Sequence, residues 1–155
     1  TTLTTLDIVS AFHDYSDTVV VPDRLCALLL SCTLLTTLYV NREYLCAGHM
    51  QNLTKLCVRC FYTTNGVLQG IADNCPSLQY LCIHDMNGGI TIEAASIRQL
   101  VDKCTQLHTL VARSEDVNRV VHQVLDQEYR HRVPRIWLSS DTKDMKCGVL
   151  DMPVE

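Results

Sequence analysis

The chain has 155 residues, 47% of them hydrophobic and 19% charged, with a net charge of -4. That is enough material for one domain with a continuous core and is an ordinary globular balance. An acidic total gives no reason to expect a nucleic-acid partner, and no apolar run approaches the roughly 18–20 residues that a membrane span needs.

One phrase recurs along the chain: leucine, two residues, leucine, one residue, aliphatic. It reads Leu3-Thr-Thr-Leu6-Asp-Ile8, then Leu35-Thr-Thr-Leu38-Tyr-Val40, Leu53-Thr-Lys-Leu56-Cys-Val58, Leu78-Gln-Tyr-Leu81-Cys-Ile83 and Leu107-His-Thr-Leu110-Val-Ala112. A weaker copy, Val133-Pro-Arg-Ile136-Trp-Leu138, follows. Alternating apolar positions suit a short strand with one buried face, and equivalent strands in successive units pair in parallel.

Between the phrases the chain must return, and four return segments carry a helical period. Residues 23–32 follow Pro22 and place Leu25, Leu28, Leu29 and Cys32 on one face. Residues 65–74 do the same with Val67, Leu68, Ile71 and Ala72, and residues 91–104 with Ala94, Ala95, Ile97, Leu100, Val101 and Cys104. Residues 117–130 present Val117, Val120, Val121, Val124, Leu125 and Tyr129. Residues 41–51 have no clear helical period and predict an irregular connection, while residues 14–21 and 86–90 read as loops.

The phrases start at 3, 35, 53, 78, 107 and 133, in steps of 32, 18, 25, 29 and 26 residues. These steps lie near the 20–29 or so of leucine-rich repeats. The expected fold is therefore α/β: a leucine-rich-repeat solenoid over residues 1–138, a curved horseshoe arc of about six units with strands on the concave side and helices on the convex side. Residues 139–155 are expected to form a C-terminal cap or tail. The chain opens inside a unit with no capping segment, and is read as the C-terminal part of a longer protein.

The nine cysteines are an odd number without a disulfide-like framework, which points to a reducing compartment, cytoplasmic or nuclear. Three occupy one position, three residues before the first leucine of a phrase: Cys32, Cys75 and Cys104. A small apolar thiol fits the tight turn from return segment into strand. Structural zinc sites use close pairs, and the near pair Cys57 and Cys60 has no second pair to match, so no metal is expected.

The run Ile71-Ala72-Asp73-Asn74-Cys75-Pro76-Ser77-Leu78-Gln79-Tyr80-Leu81-Cys82-Ile83, with its equivalent at residues 100–110, resembles the cysteine-containing class of leucine-rich repeats. Most of residues 3–138 share the likeness, which is greatest to the repeat region of F-box leucine-rich-repeat proteins. The resemblance implies a substrate receptor that holds a target on the repeat arc and joins a Skp1–cullin ubiquitin ligase through an upstream F-box. The family's second cysteine is replaced here by Glu43, Phe61, Met86 and Glu115, and these 155 residues contain no F-box.

The third, fifth and seventh phrase positions alternate with the buried ones and are expected on the concave face. From them Tyr39, Lys55, Arg59, Tyr80, His84, Arg113, Arg135 and Trp137 form the candidate partner-binding set. Aromatic and arginine side chains are common interface anchors, and this basic group on an acidic chain favours an acidic peptide, a protein surface or an anionic small ligand. No cofactor and no catalytic residue is expected: the six histidines fall in no recognised motif, and Cys82 with His84 lacks an orienting third group. The alternative to an interaction module is a structural repeat subunit whose first strand stacks on another subunit of a larger assembly.

Overall fold

The computed structural model describes residues 3–7, 31–41, 50–60, 64–85, 92–113, 115–129, 131, 133 and 135–138. Six strands fall on the six phrases: β1 (Thr5–Asp7), β2 (Thr37–Asn41), β3 (Lys55–Cys60), β4 (Tyr80–Asp85), β5 (Thr109–Arg113) and β6 (Arg135–Leu138). Every neighbouring pair is parallel, and the order across the sheet is the order along the chain. Parallel neighbours need a crossover connection. Three are described: α1 (Asn65–Asn74), α2 (Ala94–Lys103) and α3 (Glu115–Val124), the last running into a wider π-helical turn over Leu125–Tyr129.

The register is set by the leucines. Leu6, Leu38, Leu56, Leu81, Leu110 and Ile136 pair in one row, and Val40, Val58, Ile83, Ala112 and Leu138 in the next such row. A one-residue slip would turn a whole strand's apolar set away from the core, so the pattern fixes the pairing. The first phrase residues Leu35, Leu53, Leu78, Leu107 and Val133 join the same buried cluster, together with the apolar faces of the helices. Because α1 packs on α2 and α2 on α3, the three helices cover the leucine side of the sheet.

Helix α1 begins at the Thr64 cap, whose hydroxyl accepts from the Val67 amide at 3.4 Å. It ends at Cys75, whose amide donates to the Ile71 carbonyl, and Pro76 then prevents a further turn. Buried Val67, Leu68, Ile71 and Ala72 hold it on the sheet despite Gly66 and Gly70 in its interior. Helix α2 starts at Ala94, three residues later than its sequence period suggests, and Ala95 is exposed. Its first turn is tied to α1 through Asn65, whose Oδ1 accepts from the Glu93 amide at 3.0 Å and the Ser96 hydroxyl at 2.9 Å. The anticipated helix at residues 23–32 lies outside the described residues except for its last two. So do the loops at 14–21 and 86–90, the connection at 42–49 and the segment 139–155.

The turn before β2, β4 and β5 repeats. Leu35, Leu78 and Leu107 each donate their amide to the carbonyl of the cysteine three residues earlier, at 3.0, 3.2 and 3.0 Å. In the short second step Met50 takes that place, accepting from Leu53 at 3.0 Å. Cys32, Cys75 and Cys104 are buried free thiols. Burial pushes Cys75 up to about 12, aided by the neighbouring Cys104, and burial alone pushes Cys104 up to about 11.

A second ladder runs along the strand starts. The carbonyl of Thr4 accepts the amides of both Thr36 and Thr37, that of Thr36 those of Thr54 and Lys55, that of Thr54 those of Gln79 and Tyr80, and that of Gln79 those of His108 and Thr109. The Thr36 and Thr54 hydroxyls donate to the same carbonyls, of Thr4 at 3.2 Å and of Thr36 at 3.1 Å. On the outer side, exposed polar pairs bridge successive helices. Lys103 is paired with Asp73, and Arg98 grips Glu128 with its closest contact at 2.7 Å. Hydrogen bonds from these partners hold the Asp73 and Glu128 carboxyls below their usual range.

Candidate binding face on the strand side

The positions that alternate with the leucine positions form three rows across the sheet. One is Thr5, Thr37, Lys55, Tyr80, Thr109 and Arg135. The next is Asp7, Tyr39, Cys57, Cys82, Val111 and Trp137, and the third, at the carboxyl ends of the strands, is Asn41, Arg59, His84 and Arg113. All eight residues proposed from the sequence therefore sit at register positions on one face, including Arg135 and Trp137 of the weakest phrase.

Their surroundings are not uniform. Lys55 is exposed, and Tyr39 and Tyr80 are half-buried. His84, expected to be open to a partner, has only 2% of its surface accessible, and Cys57 and Cys82 have 4% each. This corrects the expectation of an evenly exposed face. In the cysteine row, Asp7 on the edge strand is exposed and Tyr39 intermediate, whereas the positions on β3 and β4 are covered and Val111 on β5 is intermediate again. Strands about 4.8 Å apart flank a central position on both sides, and a narrow thiol between wider neighbours sinks below their reach. Thr109 is covered in the same way, and its hydroxyl lies 2.8 Å from Nδ1 of exposed His108.

Cys82 and His84 lie two positions apart on β4, roughly 7 Å along the strand, and both are buried. Among the described residues no three His, Cys, Asp or Glu side chains are grouped so as to hold a metal ion. Nor is any described helix long and apolar enough to cross a membrane. Asp7 was not in the proposed set, yet it shares the row of Tyr39 and gives the β1 end of the face an exposed carboxylate. The signal was in the chain, because Asp7 holds the same phrase position as Tyr39.

Comparison with protein-family models, curated proteins and solved structures finds no match to this chain.

Proposed function

We propose that the chain is a leucine-rich-repeat arc of the cysteine-containing class and acts as a protein-interaction module, binding a partner on the concave, strand-side face. The single observation that carries this reading is the sheet itself: six parallel strands in chain order, locked in register by the leucines. Such a ladder builds one extended surface from short units, which is how solenoid repeats recognise proteins. On that surface Lys55, Arg59, Arg113 and Arg135 supply positive charge, and Tyr39, Tyr80 and Trp137 supply aromatic anchors, a combination suited to an acidic partner. By its resemblance to F-box repeat regions, the module serves as a substrate receptor whose link to a Skp1–cullin ubiquitin ligase runs through sequence outside these residues.

The test is affinity capture with the full-length protein, read by mass spectrometry, beside a variant carrying Arg59→Glu and Arg113→Glu. The expected result is loss of the main captured protein from the variant, with an unchanged melting temperature and with Skp1 and cullin recovered by both forms. Undiminished capture by the variant overturns the assignment of the face. Recovery of a fixed assembly that ignores both arginines, without ligase subunits, marks a scaffold subunit instead.

A further inference from the structure

We infer that Cys57 and Cys82 are a redox pair, which a hydroperoxide oxidises to a disulfide joining β3 to β4 inside the folded ladder and which thiol reductants reopen. The inference goes beyond partner binding and holds whatever the strand side binds. Cys57 is the register partner of Cys82, and among the described pairings this is the one place where cysteine lies opposite cysteine. Register neighbours on adjacent parallel strands are about 4.8 Å apart. That lies within the roughly 4.4–6.8 Å between Cα atoms that a disulfide spans.

Both cysteines alternate with core residues, Leu56 and Val58 on β3 and Leu81 and Ile83 on β4, so their Cα–Cβ bonds project side by side from one face. Closure therefore asks for rotation about χ1, not for separation of the strands.

The buried thiols fall into two groups among the described residues. Cys32, Cys75 and Cys104 belong to the core cluster that the helices cover. Cys57 and Cys82 stand outside that cluster, and each keeps 4% of its surface accessible on the opposite side of the sheet. Among the described residues no helix covers that side, so rotation of neighbouring side chains is enough to admit a small peroxide.

One thiol, as its thiolate, attacks an oxygen of the hydroperoxide. The S–O bond forms, the O–O bond breaks, and the leaving oxygen takes up the thiol's proton to depart as an alcohol, or as water from hydrogen peroxide. The second thiolate then attacks the sulfenic sulfur; the S–S bond forms, the S–O bond breaks, and hydroxide leaves with the second proton as water. The two thiols lose two electrons and the peroxide gains them. The closed loop contains all of α1, Asn65–Asn74, so the bond restricts the unfolded chain across a whole unit and stabilises the fold.

The test treats the full-length protein, reduced and folded, with hydrogen peroxide at a dose that fully oxidises free glutathione. Remaining thiols are then blocked with N-ethylmaleimide in denaturant, and the peptides are mapped by mass spectrometry without reduction. The expected result is Cys57 linked to Cys82 in most chains, with Cys75 and Cys104 recovered as blocked thiols. The oxidised form should melt several degrees higher, and dithiothreitol should reverse the change. In Cys57→Ser, Cys82 should stop at the sulfenic acid and be trapped by dimedone, whereas Cys60→Ser should still form the link. Peroxide applied in urea should give mixed partners, because the preference comes from the ladder. Recovery of Cys57 and Cys82 as blocked thiols after treatment of the folded protein overturns the proposal. So does linkage of Cys57 to any other cysteine, or a Cys57–Cys82 link that forms more readily in urea than in the fold. These outcomes are read on the wild-type chain and decide the matter even if a variant fails to fold.

Discussion

The Cys104 thiol donates a hydrogen bond to the carbonyl oxygen of Cys75, 3.3 Å away and one unit back along the chain. Both residues end a helix and begin the turn into a strand, so the bond joins two successive corners inside the core. Neutral thiols are what this arrangement requires.

The first prediction concerns pH. The folded state raises both thiols above their ordinary value of 9.0, Cys75 to about 12 and Cys104 to about 11. A group raised on folding contributes stability that is complete below its unfolded value and is lost as pH climbs towards the folded one. Urea unfolding should show stability falling between about pH 9 and 12, and Cys75→Ala/Cys104→Ala should flatten that fall. An equally steep loss in the variant would remove the thiols as its cause.

In the native state the same thiols should resist alkylation at pH 8, because the thiolate is the reacting form and both are buried. Iodoacetamide labelling followed by peptide mass spectrometry should mark Cys75 and Cys104 only after denaturant is added.

Leu81 is fully buried in the central strand of the leucine row. Leu81→Ala should cost about 2–5 kcal/mol in chemical denaturation through lost transfer energy and the cavity left behind. Leu34, 53% exposed in the turn after Cys32, serves as the contrast, and Leu34→Ala should stay within about 0.5 kcal/mol of wild type.

Asn65 joins two helices through one oxygen that accepts from the Glu93 amide and the Ser96 hydroxyl. Asn65→Ala should destabilise by about 1–2 kcal/mol, and amide exchange at Glu93 and Ser96 should accelerate most. Global unfolding without local acceleration at α2 would show that the bridge is not what fixes that helix start.

By contrast, the exposed pairs Lys103–Asp73 and Arg98–Glu128 are screened by solvent. Thermal melts of Lys103→Gln and Arg98→Gln at low and high salt should nearly coincide with wild type. A large, salt-sensitive shift would indicate a cooperative network along the helical side.

Strand placement was legible because it depends on spacing within the chain. Leucines at the first and fourth phrase positions, with an aliphatic at the sixth, specify one buried face, and strands with the same pattern can align in only one register. Helix α1 was legible down to its bounds, Asn65–Asn74, since Thr64 caps it and Pro76 closes it. The covering of His84, Cys57 and Cys82 was not, because it depends on how central strands are flanked by neighbours distant in sequence. Nor does any local pattern announce that Asn65 reaches Ser96, or that the turn at Leu125–Tyr129 widens to a π-helical one. For the proposed binding set, the sequence fixes which side of the sheet each residue occupies and leaves its accessibility to the assembled fold.

The doubly accepting carbonyls of Thr4, Thr36, Thr54 and Gln79 staple each strand start to the one behind it. Yet the spacing between those starts ranges from 18 to 32 residues. Differences in unit size are thus absorbed wholly in the return segments, while the strand ladder keeps a constant gauge. Insertions engineered after the strands should be accommodated, whereas a single residue added between Thr54 and Leu56 would derail every unit stacked upon it.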